Sequence, residues 1–197
     1  ISFYEQRRNN YATQLLFENR KINLVSNLRL LNAFVFLVFL YFAFTNSSFF
    51  YVAFALLVTF ALLVRRHSEL FDQKVHLENL VKINDFEIQG MKGDISCFRS
   101  GDEYIDFHHP YSHDLDIFGD GSLFQSVNRC NTLQGRQELA NRFSNALDSA
   151  EDIQSNQIAV QDLALKTDFR QHFQAAGMEI DEQPGDREQL LAWLAVP

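Results

Sequence analysis

The run Leu30-Leu31-Asn32-Ala33-Phe34-Val35-Phe36-Leu37-Val38-Phe39-Leu40-Tyr41-Phe42-Ala43-Phe44-Thr45 contains no charged residue, and neither does the run from Phe49 to Val64. Each is 16 residues long, about 24 Å as helix. That falls somewhat short of a hydrocarbon core of about 30 Å, so the two spans must borrow flanking residues or thin the bilayer. The linker Asn46-Ser47-Ser48 is short and polar, which makes the two helices antiparallel neighbours. Arg29 precedes the first run, Arg65 and Arg66 follow the second, and the turn carries no charge. By the positive-inside rule both ends face the cytoplasm and the turn faces out. A helical hairpin buried in a soluble core is the alternative. A secretory signal fits badly, because the first run starts late and a second follows at once.

Working outward, the 197 residues suffice for one domain plus an appendage. Phenylalanine is unusually frequent at 20 residues, nine of them between Phe34 and Phe60. Charge is split along the chain. Residues 1–66 hold seven Lys/Arg against two Asp/Glu, net +5, and residues 67–197 hold ten against 23, net −13. An acidic soluble part is a poor stand-alone binder of phosphate backbones, which need clustered Lys and Arg. The basic part is better explained by a membrane. Cys97 and Cys130 have no Cys-x-x-Cys spacing and read as reduced thiols in a cytosolic compartment.

Residues 1–29 are polar and basic, with Leu15, Leu16, Ile22 and Val25 at loose helical spacing, so an amphipathic juxtamembrane helix is predicted. Residues 30–66 form the transmembrane helical hairpin. Residues 67–89 continue as a helical stalk, with Leu70, Leu77, Leu80, Val81 and Asn84 on one face. From residue 90 the character changes. Gly90, Gly93 and Gly101 punctuate short β-like pieces, Ile95–Phe98 and Tyr104–Phe107, and Ser100-Gly101-Asp102 reads as the turn of a small β-hairpin. The rest reads as helices. Leu139, Ala140, Phe143, Ala146 and Leu147 form one apolar stripe. Ile153, Val160, Leu163 and Ala164 form a second, and Phe169, Phe173 and Ala176 a third that Gly177 ends. An acidic linker, 178–185, leads to a last amphipathic helix from Asp186 that carries Leu190, Leu191, Trp193 and Leu194 and stops at Pro197. Its apolar face has no partner in the sequence, as expected of a truncated domain. The expected fold class is mainly α: a transmembrane hairpin followed by an α-helical core domain over residues 90–197 with a small β-hairpin.

Three helix starts carry their own signals. Ser122 is followed three residues later by Gln125, Asn131 by Gln134, and Ser149 by Asp152. In such a pair the first side chain accepts from an orphan backbone N–H and the second reaches back to the cap's own N–H. Two helices starting about ten residues apart need a sharp corner, for which Gly119 and Gly121 supply backbone freedom.

The same stretch resembles the start of the core, or lever, domain of the MutS family of DNA mismatch-repair ATPases. The likeness is carried by Asp114-Leu115-Asp116-Ile117, Gly121-Ser122-Leu123, Thr132-Leu133-Gln134-Gly135-Arg136 and Ile153…Gln157-Ile158-Ala159-Val160…Leu163. It is closest to membrane-anchored MutS-like proteins, whose soluble part opens with a His-Pro-Tyr…Asp-Leu-Asp-Ile-Phe-Gly run, here His109 to Gly119. It covers residues 86–177. Cys130 stands where the family has Thr, and Asn156 where it has Arg. The resemblance implies that Asp114, Asp116, Gly121, Ser122, Thr132, Gly135, Arg136 and Gln157 are structural motif residues. It implies a carboxy-terminal ATPase domain, outside this sequence, that uses ATP and Mg²⁺. It further implies DNA as a partner of the full-length protein, a homodimer, and a tether in the inner membrane of a bacterium with the soluble part in the cytoplasm.

Other sites tempt less. His108, His109 and His113 with Asp114 and Asp116 suggest a metal cluster, but Pro110 breaks helical pairing of the histidines and the regular spacing of a structural zinc site is missing. Asp116, Asp120 and Gly121 echo a calcium loop that has Phe118 and Val127 where oxygen ligands belong. No Gly-x-x-x-x-Gly-Lys-Ser/Thr loop and no Gly-x-Ser-x-Gly elbow occurs, so no catalytic residue is expected in these 197 positions. The competing expectation is a membrane-tethered acidic helical module that binds a basic protein and has no enzymatic activity.

Overall fold

The computed structural model describes residues 1–197 except Thr45, Ser47, Ala146, Asp148, Asp181, Pro184, Val196 and Pro197, and except the side chains of Arg187 and Glu188. Parts of the expected first span, turn, apolar stripe, acidic linker and chain end therefore lie outside the described residues. The fold is mainly helical. The helices are α1 (Ser2–Ala43), α2 (Phe49–Met91), α3 (Leu123–Val127), α4 (Leu133–Ser144), α5 (Ala150–Ala164), α6 (Thr167–Gly177) and α7 (Asp186–Leu194). The chain forms two compact units. One comprises Asn9–Val81, the other Ile1–Arg8 with Lys82–Pro197. The second of these units thus joins the first eight residues to the stretch from Lys82 onward.

The Asn9–Val81 unit is built from the long stretches of α1 and α2. No Pro interrupts either helix, and the one Gly, Gly90, lies next to the end of α2, so the helices run unbroken for 42 and 43 residues and the expected juxtamembrane and stalk segments are continuous with the spans. At the turn Phe49 packs on Phe39 and Phe42, with ring centroids 5.9 and 6.1 Å apart. Ala43 and Ala53 are buried there, where small side chains permit close approach. Most other apolar side chains point outward: Leu30, Phe34, Leu37, Tyr41, Tyr51, Phe54 and Leu62 are all more than half exposed. Both helices are long and apolar enough to cross a membrane, and only 6% of the most apolar 18-residue window of each is buried. A helix hidden in a soluble core would be mostly buried, so this geometry favours a lipid-facing pair.

The other unit has its apolar centre in Ile117, Phe118, Phe124 and Ala140, with Tyr104, Tyr111, Leu139 and Phe143 packed around them. Phe124 is fully buried and meets Phe118 at 5.3 Å and Tyr104 at 5.6 Å in tilted and edge-on arrangements. The first predicted stripe is therefore an inward face of α4 at Leu139, Ala140 and Phe143.

The predicted β-hairpin is not what forms. Among the described residues there is no strand. The Phe98 N–H donates to Ile95 O across a turn, Asp94 accepts from the Ser96 N–H and hydroxyl, and Asp102–Tyr104 is a short 3-10 turn. The Asp94 carboxylate captures the Ser96 backbone N–H that a ladder would need. The second stripe, expected to face inward, is corrected as well, and the third faces outward. No residue of α5 is buried, and on α6 the buried residues are Gln171 and Ala175 while Phe169 and Phe173 are exposed. Gly177 does not stop α6 in a left-handed conformation. It ends the helix in place, packed against Asn131, whose Cβ lies 3.6 Å from where a Cβ on Gly177 would sit.

Gly101 has a stricter requirement. Its φ is +76°, and a Cβ there would lie 2.6 Å from the ring of buried Phe124. Gly121 has the same φ with open space around it. Gly101→Ala is expected to destabilise by roughly 2–4 kcal/mol, from backbone strain plus overpacking. Gly121→Ala is expected to cost about 1 kcal/mol, from strain alone. Urea unfolding of the detergent-solubilised chain separates the two.

Candidate functional site

The candidate site is the corner from Phe98 to Arg136 together with the helices that hold it. Its first cap is Ser122, whose buried Oγ accepts from the Gln125 N–H at 3.1 Å and starts α3. The reciprocal half of the expected box is displaced by one residue. Gln125 Oε1 accepts from the Gly121 N–H at 2.7 Å, and the Ser122 N–H goes to Gly119 O. Gln125 Nε2 then donates to Phe98 O at 2.9 Å, so one buried carboxamide ties the start of α3 to the preceding turn. Asn128 repeats the device: its Nδ2 donates to Arg99 O and its Oδ1 accepts from the Cys130 N–H.

The second cap is Thr132, not Asn131. Thr132 Oγ1 accepts from the Gly135 N–H at 3.1 Å. Asn131 instead donates through Nδ2 to Gln174 O at the end of α6, 2.8 Å away. The Leu133 N–H at the same helix start is taken by the Glu182 carboxylate at 2.6 Å, an anion at the positive end of α4. The Ser149 cap forms as the sequence predicts, accepting from Glu151 and Asp152 N–H groups.

Arg136 is buried and donates from Nη1 to Asn131 O at 2.9 Å, while its Nε is buried without a partner. Tyr104 lies beside it, and burial raises the Tyr104 phenol above its usual range, with Glu103 adding to the rise and Arg136 opposing it. The corner thus gathers Gly121, Ser122, Thr132, Gly135 and Arg136 around two helix starts. It does not gather the other motif residues. Asp114 and Gln157 are exposed, and Asp116 is an exposed turn residue at φ +48°.

The His-Pro-Tyr segment has a structural role. The His109 Nδ1 accepts from the Ser112 N–H at 3.1 Å, so its Nε2 carries the proton and donates to Ser144 O at 2.9 Å. Tyr111 also donates to Phe143 O and Ser144 O. These side chains cap the carboxy end of α4. Among the described residues no three His, Cys, Asp or Glu side chains are grouped to hold a metal.

Sequence reasoning passed over two polar clusters. Asn84 on α2 and Gln171 on α6, both buried, exchange amide hydrogen bonds of 3.3 and 3.0 Å, and Arg7 Nε donates to Gln171 Oε1 at 2.9 Å. Arg7 also pairs with Asp168, and Arg8 with Asp85. These two arginines, expected at the membrane, belong to the acidic unit. In the second cluster Arg129 binds both carboxylate oxygens of Glu87, at 2.6 and 3.3 Å, and lies 3.5 Å above the Phe98 ring. An Asn inside an apolar stripe was the available signal for the first. Nothing local marked the second.

Along one side, Ile83, Val127, Leu139, Leu163, Phe169 and Phe173 line an open, mainly apolar groove of about 550 Å³. Compared with known protein families, characterised proteins and solved structures, the chain matches none.

Arg129→Ala is expected to destabilise by about 1–3 kcal/mol, and Arg129→Lys to recover little, because an ammonium neither stacks nor binds a carboxylate with two parallel donors. Thermal unfolding of both variants checks this. Burial pushes the Cys97 and Cys130 thiols up. Near neutral pH both are expected to react with iodoacetamide on the order of tenfold slower in the folded chain than in urea. Stability is expected to fall as pH climbs past the ordinary thiol range, because the unfolded chain ionises first.

Proposed function

We propose that this chain is the amino-terminal part of a membrane-anchored MutS-like protein. It supplies the tether and the beginning of the core, or lever, domain that couples an ATPase to the clamping of DNA. One observation carries the proposal: Ser122 and Thr132, both within the resembling motif, each cap a helix, and Arg136 is buried behind the second cap. The motif residues so placed are those that shape a corner, which supports a mechanical role for this segment rather than a chemical one.

In this proposal the hairpin spans the inner membrane of a bacterium with its turn outside. The Ile1–Arg8 and Lys82–Pro197 unit carries 11 Lys/Arg against 21 Asp/Glu, net −10, and lies in the cytoplasm. DNA, ATP with Mg²⁺ and the homodimer contacts belong to the rest of the protein. The residues present here form no phosphate-binding loop, so no nucleotide step is assigned to them. A second reading, an acidic helical module that binds another protein, is favoured by the open groove beside α5 and α6.

Two measurements test this. Reporter fusions at Asn46 and Leu70 are expected on opposite sides of the membrane, and both reporting the cytoplasm removes the tether. The protein encoded by the complete gene is expected to carry a Gly-x-x-x-x-Gly-Lys-Ser/Thr loop and to hydrolyse ATP. A complete gene without that loop leaves the interaction module as the better account.

A further inference from the structure

We propose that Arg29, Arg65 and Arg66 form a collar that captures the phosphates of anionic phospholipids in the leaflet opposite the turn. The inference rests on the membrane-spanning reading of the hairpin. Arg29 lies on α1, which ends at Ala43, and Arg65 lies on α2, which starts at Phe49. At about 1.5 Å per residue the two arginines stand roughly 21 and 24 Å from those helix ends at the turn, so the antiparallel helices bring them to one level.

The far end is marked with similar symmetry. Tyr41 and Tyr51 each lie close to the helix end at the turn, and both rings are strongly exposed, at 73% and 83%. Interfacial tyrosines sit at the headgroup level. The slab between the Tyr and Arg levels is then only about 18–21 Å thick, well under a hydrocarbon core of about 30 Å. A span this short draws the arginine backbones towards the hydrocarbon. Their long side chains extend outward to the nearest polar atoms, which are lipid phosphates.

Charge then selects the lipid. Arg65 and Arg66 share the single carboxylate of Glu69, at 3.3 and 3.1 Å, and keep 81% and 57% of their side chains exposed. Counting Arg29, three cations face one anion, a net of +2 at this level. Guanidinium groups bind phosphate with paired donors, and an anionic surface favours each added cation.

The test uses the full chain in vesicles of phosphatidylcholine mixed with phosphatidylglycerol. The chain is extracted in mild detergent, and the lipid that copurifies is quantified by mass spectrometry. Phosphatidylglycerol is expected to be enriched on the order of tenfold over its share, and the enrichment to collapse at high salt. The triple variant R29Q/R65Q/R66Q is expected to lose the enrichment. R29K/R65K/R66K, which keeps the charge, is expected to retain part of it, and R99Q/R142Q all of it. Equal enrichment in the wild type and the Gln triple variant overturns the collar, as does enrichment insensitive to salt. Alkaline carbonate extraction from pure phosphatidylcholine vesicles reads the tether separately. A chain that washes out was never inserted, and the collar then fails with the membrane reading. A chain that stays but shows no lipid preference refutes the collar alone.

Discussion

A buried carboxamide must find partners or destabilise its fold, and the acidic unit meets this constraint at Gln171. Its Oε1 accepts from Arg7 and Asn84, and its Nε2 donates to Asn84. Three helices distant in sequence are fixed to one another by these bonds. An apolar contact at that junction would tolerate sliding and rotation, whereas paired amides accept one register. The first eight residues and the end of α2 are thereby held beside α6. The loop chemistry between residues 98 and 136 is then built against α2 through the bidentate contact of Arg129 with Glu87.

Much of the helical architecture was legible. Two long charge-free runs, bounded by Arg29 and by Arg65 and Arg66, announced the hairpin. Ser122 and Ser149 announced their helix starts by side-chain chemistry that acts within the first helical turn. The errors fall where local signals compete. Asn131 and Thr132 are both good caps, and only the distant Gln174 carbonyl decides that Asn131 is spent elsewhere. Gly101 suggested a hairpin turn, but its lack of a side chain serves the Phe124 ring, which lies well outside any local window of sequence. The Asp94 and Ser96 side chains then keep Ile95–Phe98 out of strand geometry. The polar clusters at Gln171 and Arg129 depend on long-range pairing and have no local signature.

Apolar periodicity misled in a different way. It grouped Phe169 and Phe173 on one apolar face without saying what covers it, and the structure leaves both in the lining of an open groove with α5 beside it. Periodicity reports that a helix has an apolar face, and the environment that meets this face is set elsewhere. The acidic unit therefore combines one well-filled centre, around Phe124, with a second apolar surface of a different kind. The candidate site joins the two, since Leu139 belongs to the rim of the filled centre and also lines the groove.

The capping of α4 has a mechanical consequence. A carbonyl oxygen offers two lone pairs, and at Ser144 both are engaged, one by the His109 ring and one by the Tyr111 hydroxyl. The helix cannot lengthen by a turn without breaking both bonds, and it cannot tilt without carrying residues 109–111 along. Any shift at the carboxy end of α4 must therefore be met by residues 109–111, which share that carbonyl between them.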